Sequence, residues 1–292
     1  MASGREERRS RPMRVRNSAF DVRKSGVDRY DFRDPYHLAV TVSWPAFIIG
    51  ALGAFLTLNA LFATLYALRA DAVQNVPQGD VLRAFFFSLE TLATVGYGEM
   101  APGSIYGHVV AAIEITVGVA FTAIFTGLLF VRFSRPQSRI LFADKAVVTM
   151  HNGRQTLMVR IANGRLSMMS HAAARLAVLV GEVTDEGQSF RRIYDLKLVR
   201  DDLPIFPLTW TLMHEIDEAS PLHGFGPEDL KAHQVRLFLA VEARDAALGA
   251  LVQDLGGFEH HQIVFGKRYG DAVSIDEQGR TVADLGRLSL IE

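Results

Sequence analysis

Apolar residues fall in three blocks of unequal length along the first half of this chain. The first block runs from Ser43 to Leu68, 26 residues without a charge. Phe47, Ile48, Ile49, Leu52, Phe55, Leu58, Leu61, Phe62 and Leu65 spread around every face of a helix drawn there. About 20 such residues cross the hydrocarbon core of a bilayer. A buried helix of a soluble protein normally keeps a polar face, and this stretch has none. The second long block spans roughly Ile105 to Val131; Glu114 interrupts it, Ile115 to Val131 is charge-free, and Pro136 ends it. Between the two lies VLRAFFFSLETLATVGYG. From Val81 to Ala93 this block is too short to span and reads as a re-entrant or interfacial helix. Non-helical backbone at membrane depth is tolerated only inside protein or beside water.

Ahead of the first span, Asp34-Pro35 marks a helix start, with Pro at the first helical position. The following YHLAVTV is a short amphipathic piece suited to the membrane interface. Residues 1–32, rich in Arg and Ser, are expected to form a mobile tail. From residue 140 the period shortens. KAVVTM, QTLMVRIA, ARLAVLVGEV, RIYDLKLV, LTWTLMHEI and QVRLFLAVEA read as strands. The Asn-Gly steps in HNGR and NGRL both favour hairpins. This pattern predicts an antiparallel β-sandwich. The expected organisation is a basic tail (1–32), a slide helix and transmembrane α-helical pore domain (33–136), and a cytoplasmic all-β sandwich (137–292).

Charge adds orientation. Residues 1–43 hold ten Lys or Arg, whereas the connection from Arg69 to Gly103 holds only Arg69 and Arg83. Arg132, Arg135, Arg139 and Lys145 follow the second span. The positive-inside rule then places both termini in the cytoplasm of a multi-pass protein of the cell membrane. The basic N-terminus leads into a polar stretch, so no signal peptide is expected. A formal net charge of −1 with 22% charged residues gives no reason to expect nucleic acid as a partner. The absence of cysteine excludes disulfides and thiolate chemistry. His260-His261 is a weak metal candidate, because neighbours on a strand face opposite ways. No catalytic motif or cofactor loop is found, so no enzyme and no cofactor are expected.

The chemistry resides in Thr94-Val95-Gly96-Tyr97-Gly98, directly after the short helix. A potassium ion sheds its water to pass selectively, and rings of backbone carbonyls from four such loops replace that shell. The glycines permit the backbone angles this requires. Val95 and Tyr97 are expected to pack the loop from behind, and Thr94 to add its hydroxyl at the inner end. One loop per chain implies a homotetramer, with potassium held at Thr94, Val95, Gly96 and Tyr97. Four copies of Glu99 would form an acidic ring at the outer mouth.

With DPYHLAVTVSWP, AFFFSLETLATVGYG, LLFVRFSRP, NGRQTLMVRIAN and DLKLVRDDLPIFPLTWTLMHEIDEASPL, the chain resembles the bacterial inward-rectifier potassium channels, the KirBac group. The likeness covers roughly residues 30–290. It implies an interfacial slide helix, two spans, an immunoglobulin-like cytoplasmic domain and a gate where the inner helices converge. Phe130 falls at that gate. Thr122 falls where eukaryotic relatives often carry an acidic or Asn residue, so strong rectification is not expected. Gly118 and Gly127 fall at proposed bending points, and the spacing of Gly118, Thr122 and Thr126 puts them on one cavity-lining face. Met100 replaces an Arg that in many eukaryotic relatives pairs with the glutamate matching Glu90. Glu90 is therefore expected to be buried behind the filter as a protonated carboxyl.

Arg132, Arg135, Arg139 and Lys145, with Arg29 and Arg33, are expected to hold anionic lipid headgroups or to serve as topological anchors. The resemblance implies regulation by phosphoinositides. Two other readings are a less selective two-span cation channel and a membrane-anchored ligand-binding protein. TVGYG opposes the first, and the second leaves the re-entrant helix unexplained. No Arg-repeat span precedes the pore, so voltage sensing has no support.

Overall fold

The computed structural model describes residues 13–17, 20–24, 33–136, 138–184 and 186–292. These divide into two compact units, one within 28–135 and one built from Pro136 onward, to which the N-terminal strands are also assigned. Those strands, β1 (Met13–Asn17) and β2 (Phe20–Lys24), pair antiparallel with Met13 opposite Lys24. Both strands fall within the expected mobile tail. The rest of the expected tail, Arg29 included, lies outside the described residues.

In the first unit each helix starts where its cap chemistry directs. Helix α1 (Pro35–Thr41) begins at Asp34, whose carboxylate accepts the His37 N–H at 2.9 Å. Pro35, at the start of α1, has no N–H to leave unpaired. Ser43 precedes α2 (Trp44–Ala67), whose 24 residues extend about 36 Å. A two-residue strand β3 (Val73–Gln74) leads to α3 (Val81–Leu92), capped by Asp80 accepting the Arg83 N–H at 3.0 Å. Strand β4 (Ala101–Pro102) returns to pair with β3, tying together the two ends of the α3 excursion. Helix α4 (Ile105–Phe133) follows, 29 residues long.

Helices α2 and α4 are long and apolar enough to cross a membrane, and the chain itself buries only 22% of each apolar stretch. The core helix of a soluble protein would be mostly covered. Ile49, Leu52, Leu61, Val119 and Ile124 are exposed instead, as lipid contact or contact with other copies demands. The buried face of α3 (Ala84, Phe87, Ser88 and Leu92) packs with Phe62, Ala63 and Tyr66 of α2 and Val110 of α4. That face follows helical periodicity.

The second unit is built on a pair of five-stranded sheets. The strands are β5 (Ile140–Phe142), β6 (Ala146–His151), β7 (Arg154–Asn163), β8 (Met169–Val183), β9 (Ser189–Leu196), β10 (Asp202–Phe206) and β11 (Thr209–Glu215). A one-and-a-half-turn helix α5 (Pro227–Ala232) precedes β12 (Arg236–Asp245), β13 (Ala250–Glu259), β14 (Ile263–Phe265), β15 (Val273–Ile275) and β16 (Thr281–Ala283), the last two forming a separate antiparallel pair. One sheet has the order β11-β7-β6-β14, with β5 also on β7. The other has β10-β8-β12-β13, with β9 also on β8. The inner faces form one core, in which Val148, Leu157, Val159 and Ile161 meet Leu176, Val178, Leu237 and Leu239. Each such side chain contributes roughly 1.5–3 kcal/mol on burial.

Two expectations about this unit need correction. The step Asn152-Gly153 does close a two-residue hairpin, with φ of 49° and 77° at the two positions and His151 opposite Arg154. Asn163-Gly164 does not. There the chain leaves one sheet for the other, and Asn163 holds the crossing by donating from Nδ2 to Ser167 O at 2.8 Å and Phe206 O at 3.1 Å. The sandwich is also not wholly antiparallel, because β14 runs parallel to β6. The chain reaches β14 from the opposite sheet, so no hairpin forces the direction to alternate.

His260 and His261 lie in a 3₁₀ turn, His260–Gln262, rather than on a strand. Among the described residues no group of three or more His, Cys, Asp or Glu is arranged to hold a metal. Buried His214 joins two loops, with Nδ1 donating to the Lys197 carbonyl at 2.8 Å and Nε2 2.8 Å from Ser220 Oγ. The C-terminal segment is pinned by Tyr269, whose hydroxyl donates to Lys145 O at 2.5 Å while the Arg160 guanidinium lies 4.4 Å from its ring. Burial pushes the Tyr269 phenol up to about 12 and the Arg160 guanidinium below its ordinary value.

Candidate functional site

The segment after α3 is shaped by how that helix stops. Thr94 N–H donates to Thr91 O at 3.0 Å and Val95 N–H to Glu90 O at 2.8 Å. These bonds form a Schellman ending, which needs a left-handed residue just beyond the cap. Thr94 fills that place with φ 57°. A β-branched residue there carries strain of about 1–3 kcal/mol. Gly96 and Gly98 are also left-handed, with φ 59° and 85°, while Val95 and Tyr97 are not. The alternation cancels helical rotation and lets successive peptide groups face one side. Within one chain, nothing beyond the adjacent residues lies within 4 Å of a Cβ built at Gly96 or Gly98, so conformation rather than space selects glycine there.

Val95 and Tyr97 are 53% and 78% exposed, so one chain by itself leaves both largely uncovered. Glu99 is exposed as well, and its carbonyl accepts Asn75 Nδ2 at 2.6 Å. Met100 is half-buried against the core of this unit.

Within one chain, Glu90 is not the acid that the helices bury. Glu90 is only half covered by its own chain, and its backbone carbonyl is what engages the loop. Among the described residues of the helical unit, the fully buried carboxyl is Glu114 of α4. It accepts from Tyr66 Oη of α2 at 2.7 Å and from Ser88 Oγ of α3 at 2.5 Å. Ser88 Oγ also lies 3.1 Å from Asn59 O and 3.2 Å from Asn59 Oδ1. In the sequence Glu114 is only an interruption of an apolar span. A lone ionisable residue at membrane depth was the available signal.

Further along α4, Gly118 does not line open space. It is buried, and a Cβ there would stand 2.3 Å from Leu92 O. It is a close-packing glycine, and the cavity expectation for it fails for that reason. Gly127 has nothing within 4 Å of its Cβ position. Thr122 and Thr126 are exposed on α4, and Phe130 is 72% exposed near its end.

Arg132 is likewise reassigned. It is buried, with Nη1 donating to Ala39 O at 2.6 Å and Nη2 to Val42 O at 2.8 Å. Its guanidinium lies 4.6 Å from the rings of both Trp44 and Phe47. It thus clamps the carbonyl end of α1, where a cation is favoured, and its charge is not turned to a headgroup. Arg135 is exposed and reaches Val40 O only at 3.4 Å. Arg33, Arg139 and Lys145 are exposed; the carbonyl of Arg139 accepts Gly164 N–H at 2.7 Å.

Two family profiles match the chain. The profile described as "Ion channel" covers residues 48–135, and "Inward rectifier potassium channel C-terminal domain" covers residues 140–292. The sequence is 34% identical over 281 residues to the inward rectifier potassium channel Kirbac3.1 of Paramagnetospirillum magnetotacticum, with 95% of each chain covered. It is 30% identical over 222 residues to ATP-sensitive inward rectifier potassium channel 15 of Homo sapiens, covering 71% of this chain and 58% of that one. The human inward rectifier potassium channel 4 is 30% identical over 221 residues, 70% of this chain and 48% of the other.

Proposed function

The chain belongs to the inward rectifier potassium channel family, and from that premise we propose that four copies surround one axis and pass potassium through carbonyl rings of Thr94, Val95, Gly96 and Tyr97. It is a membrane protein and an ion channel, not an enzyme. The observation that carries the filter reading is the left-handed backbone at Thr94, Gly96 and Gly98 directly beyond α3. An alternating backbone of this kind suits oxygen ligands that replace a hydration shell. The exposed Val95 and Tyr97 support assembly, because neighbouring copies would supply the cover one chain lacks.

Glu99 forms the outer acidic ring and Thr122 faces the cavity in this reading. Phe130, exposed near the end of α4, gates by closing a ring of four phenyl groups. Glu90 supports the filter through its backbone carbonyl. Both termini lie in the cytoplasm, and residues 1–32, 33–136 and 137–292 act as tail, pore domain and cytoplasmic sandwich. Arg33, Arg135, Arg139 and Lys145 are the cations offered to anionic lipid, phosphoinositides among them. The deciding measurement is flux into liposomes loaded with reconstituted protein. Potassium uptake that barium blocks and sodium does not match is the expected result; equal entry of sodium and potassium would refute the filter assignment.

A further inference from the structure

The buried acid of α4 has no part in the reading above, and its surroundings are unusually specific. The two oxygens of Glu114 are met by two hydroxyls on two different helices, Tyr66 on α2 and Ser88 on α3. One turn further along both partners comes a second contact, where α4 at Gly118 closes directly on Leu92 O of α3. Ser88 and Leu92 are four residues apart, as are Glu114 and Gly118, so the two contacts are in register. Two contacts in register determine both the rotation and the height of α3 against α4. Thr94 begins two residues after Leu92, and the Schellman bonds carry the helix position directly into Thr94 and Val95.

We infer that Glu114 is a positioning residue for ion selection: through Ser88, and with Gly118 on Leu92, it sets the height at which α3 presents the carbonyl loop. This rests on the assignment of the filter to Thr94–Gly98. An ionisable group at membrane depth is expensive, and a leucine would fill the space without that cost. What a leucine lacks is the ability to accept from both hydroxyls. A glutamine retains most of it. Its carbonyl accepts from one hydroxyl and its amide donates to the oxygen of the other. Ser88 then turns its single proton to Asn59, whose two oxygens are already within 3.2 Å. The required property is thus hydrogen-bonding geometry rather than negative charge.

The test compares the sodium-to-potassium permeability ratio of wild type, Glu114→Gln, Glu114→Leu and Ser88→Ala in planar bilayers, with thermal stability measured in parallel. Glu114→Leu and Ser88→Ala should raise the ratio at least about tenfold, and Glu114→Gln should stay within about twofold of wild type. A role in packing alone would lower the amount of folded protein and leave the ratio per conducting channel unchanged; that result overturns the inference. Should Glu114→Leu not fold, Ser88→Ala, which deletes one oxygen, decides alone: a raised ratio supports the inference and an unchanged ratio sinks it. If wild type itself fails to discriminate potassium from sodium, the filter assignment is what falls, and this inference goes with it.

Discussion

Replacing Arg132 by Ala isolates the clamp on α1. The side chain contributes two charge-assisted hydrogen bonds, to Ala39 O and Val42 O, and two ring contacts at 4.6 Å. A hydrogen bond to a charged group contributes about 1.5–3 kcal/mol. Taking only the lower value for each bond, and nothing for the rings because water and lipid refill part of the site, gives about 3 kcal/mol. That shifts the docked-to-undocked equilibrium of α1 by about a hundredfold. Seven residues are too few for a helix to persist undocked. Amide exchange over Leu38–Val42 therefore reports docking. In lipid nanodiscs, protection there should fall about a hundredfold in Arg132→Ala. Arg132→Lys should lie between, since an ammonium cannot span both carbonyls as the guanidinium fork does. Unchanged protection in Arg132→Ala refutes the clamp. If that variant instead shifts the phosphoinositide dose response with α1 intact, Arg132 is a lipid ligand after all.

Other outcomes follow from single positions. Gly96→Ala adds a Cβ at φ 59°, where one chain leaves space but an L side chain is strained, so selective flux should be lost while the proposed tetramer still runs intact on native gels. Thr122→Asp adds four negative charges per proposed tetramer; in bilayer recordings cytoplasmic spermine should then block more tightly and with steeper voltage dependence, whereas identical block would remove Thr122 from the ion path. Tyr269 favours its protonated form in the folded domain, so stability present below pH 10 should be lost as pH rises toward about 12. The loss is about 2–3 kcal/mol. Tyr269→Phe should show a flatter alkaline unfolding profile by circular dichroism, and an unchanged profile would assign the alkaline loss to other groups.

The membrane elements were legible because they depend on local quantities. Charge-free length identified α2 and α4, a shorter apolar run identified α3, and Asp34 with Pro35 marked the start of α1. Turn chemistry located the Asn152-Gly153 hairpin, since two left-handed residues in a row admit few alternatives. The second Asn-Gly step looked the same in sequence. Its outcome depended on which sheet the next strand joined, and that is decided by packing.

Local pattern was thus enough for the number and length of the spans, the short helix between them, the TVGYG loop beyond it and the run of strands that follows. Each rests on a contiguous stretch of sequence. Long-range packing, by contrast, chose Glu114 as the acid that this chain buries in its helical unit, set Arg132 as a clamp on α1, placed Gly118 in a close contact and ran β14 parallel to β6. Tyr66 and Glu114 are 48 residues apart, and Arg132 and Ala39 are 93 apart. Burial and partner choice at such separations follow from how each helix is rotated against its neighbours. That rotation is the joint result of all the contacts along the helix, and a periodic pattern of apolar residues spread around every face leaves it undetermined.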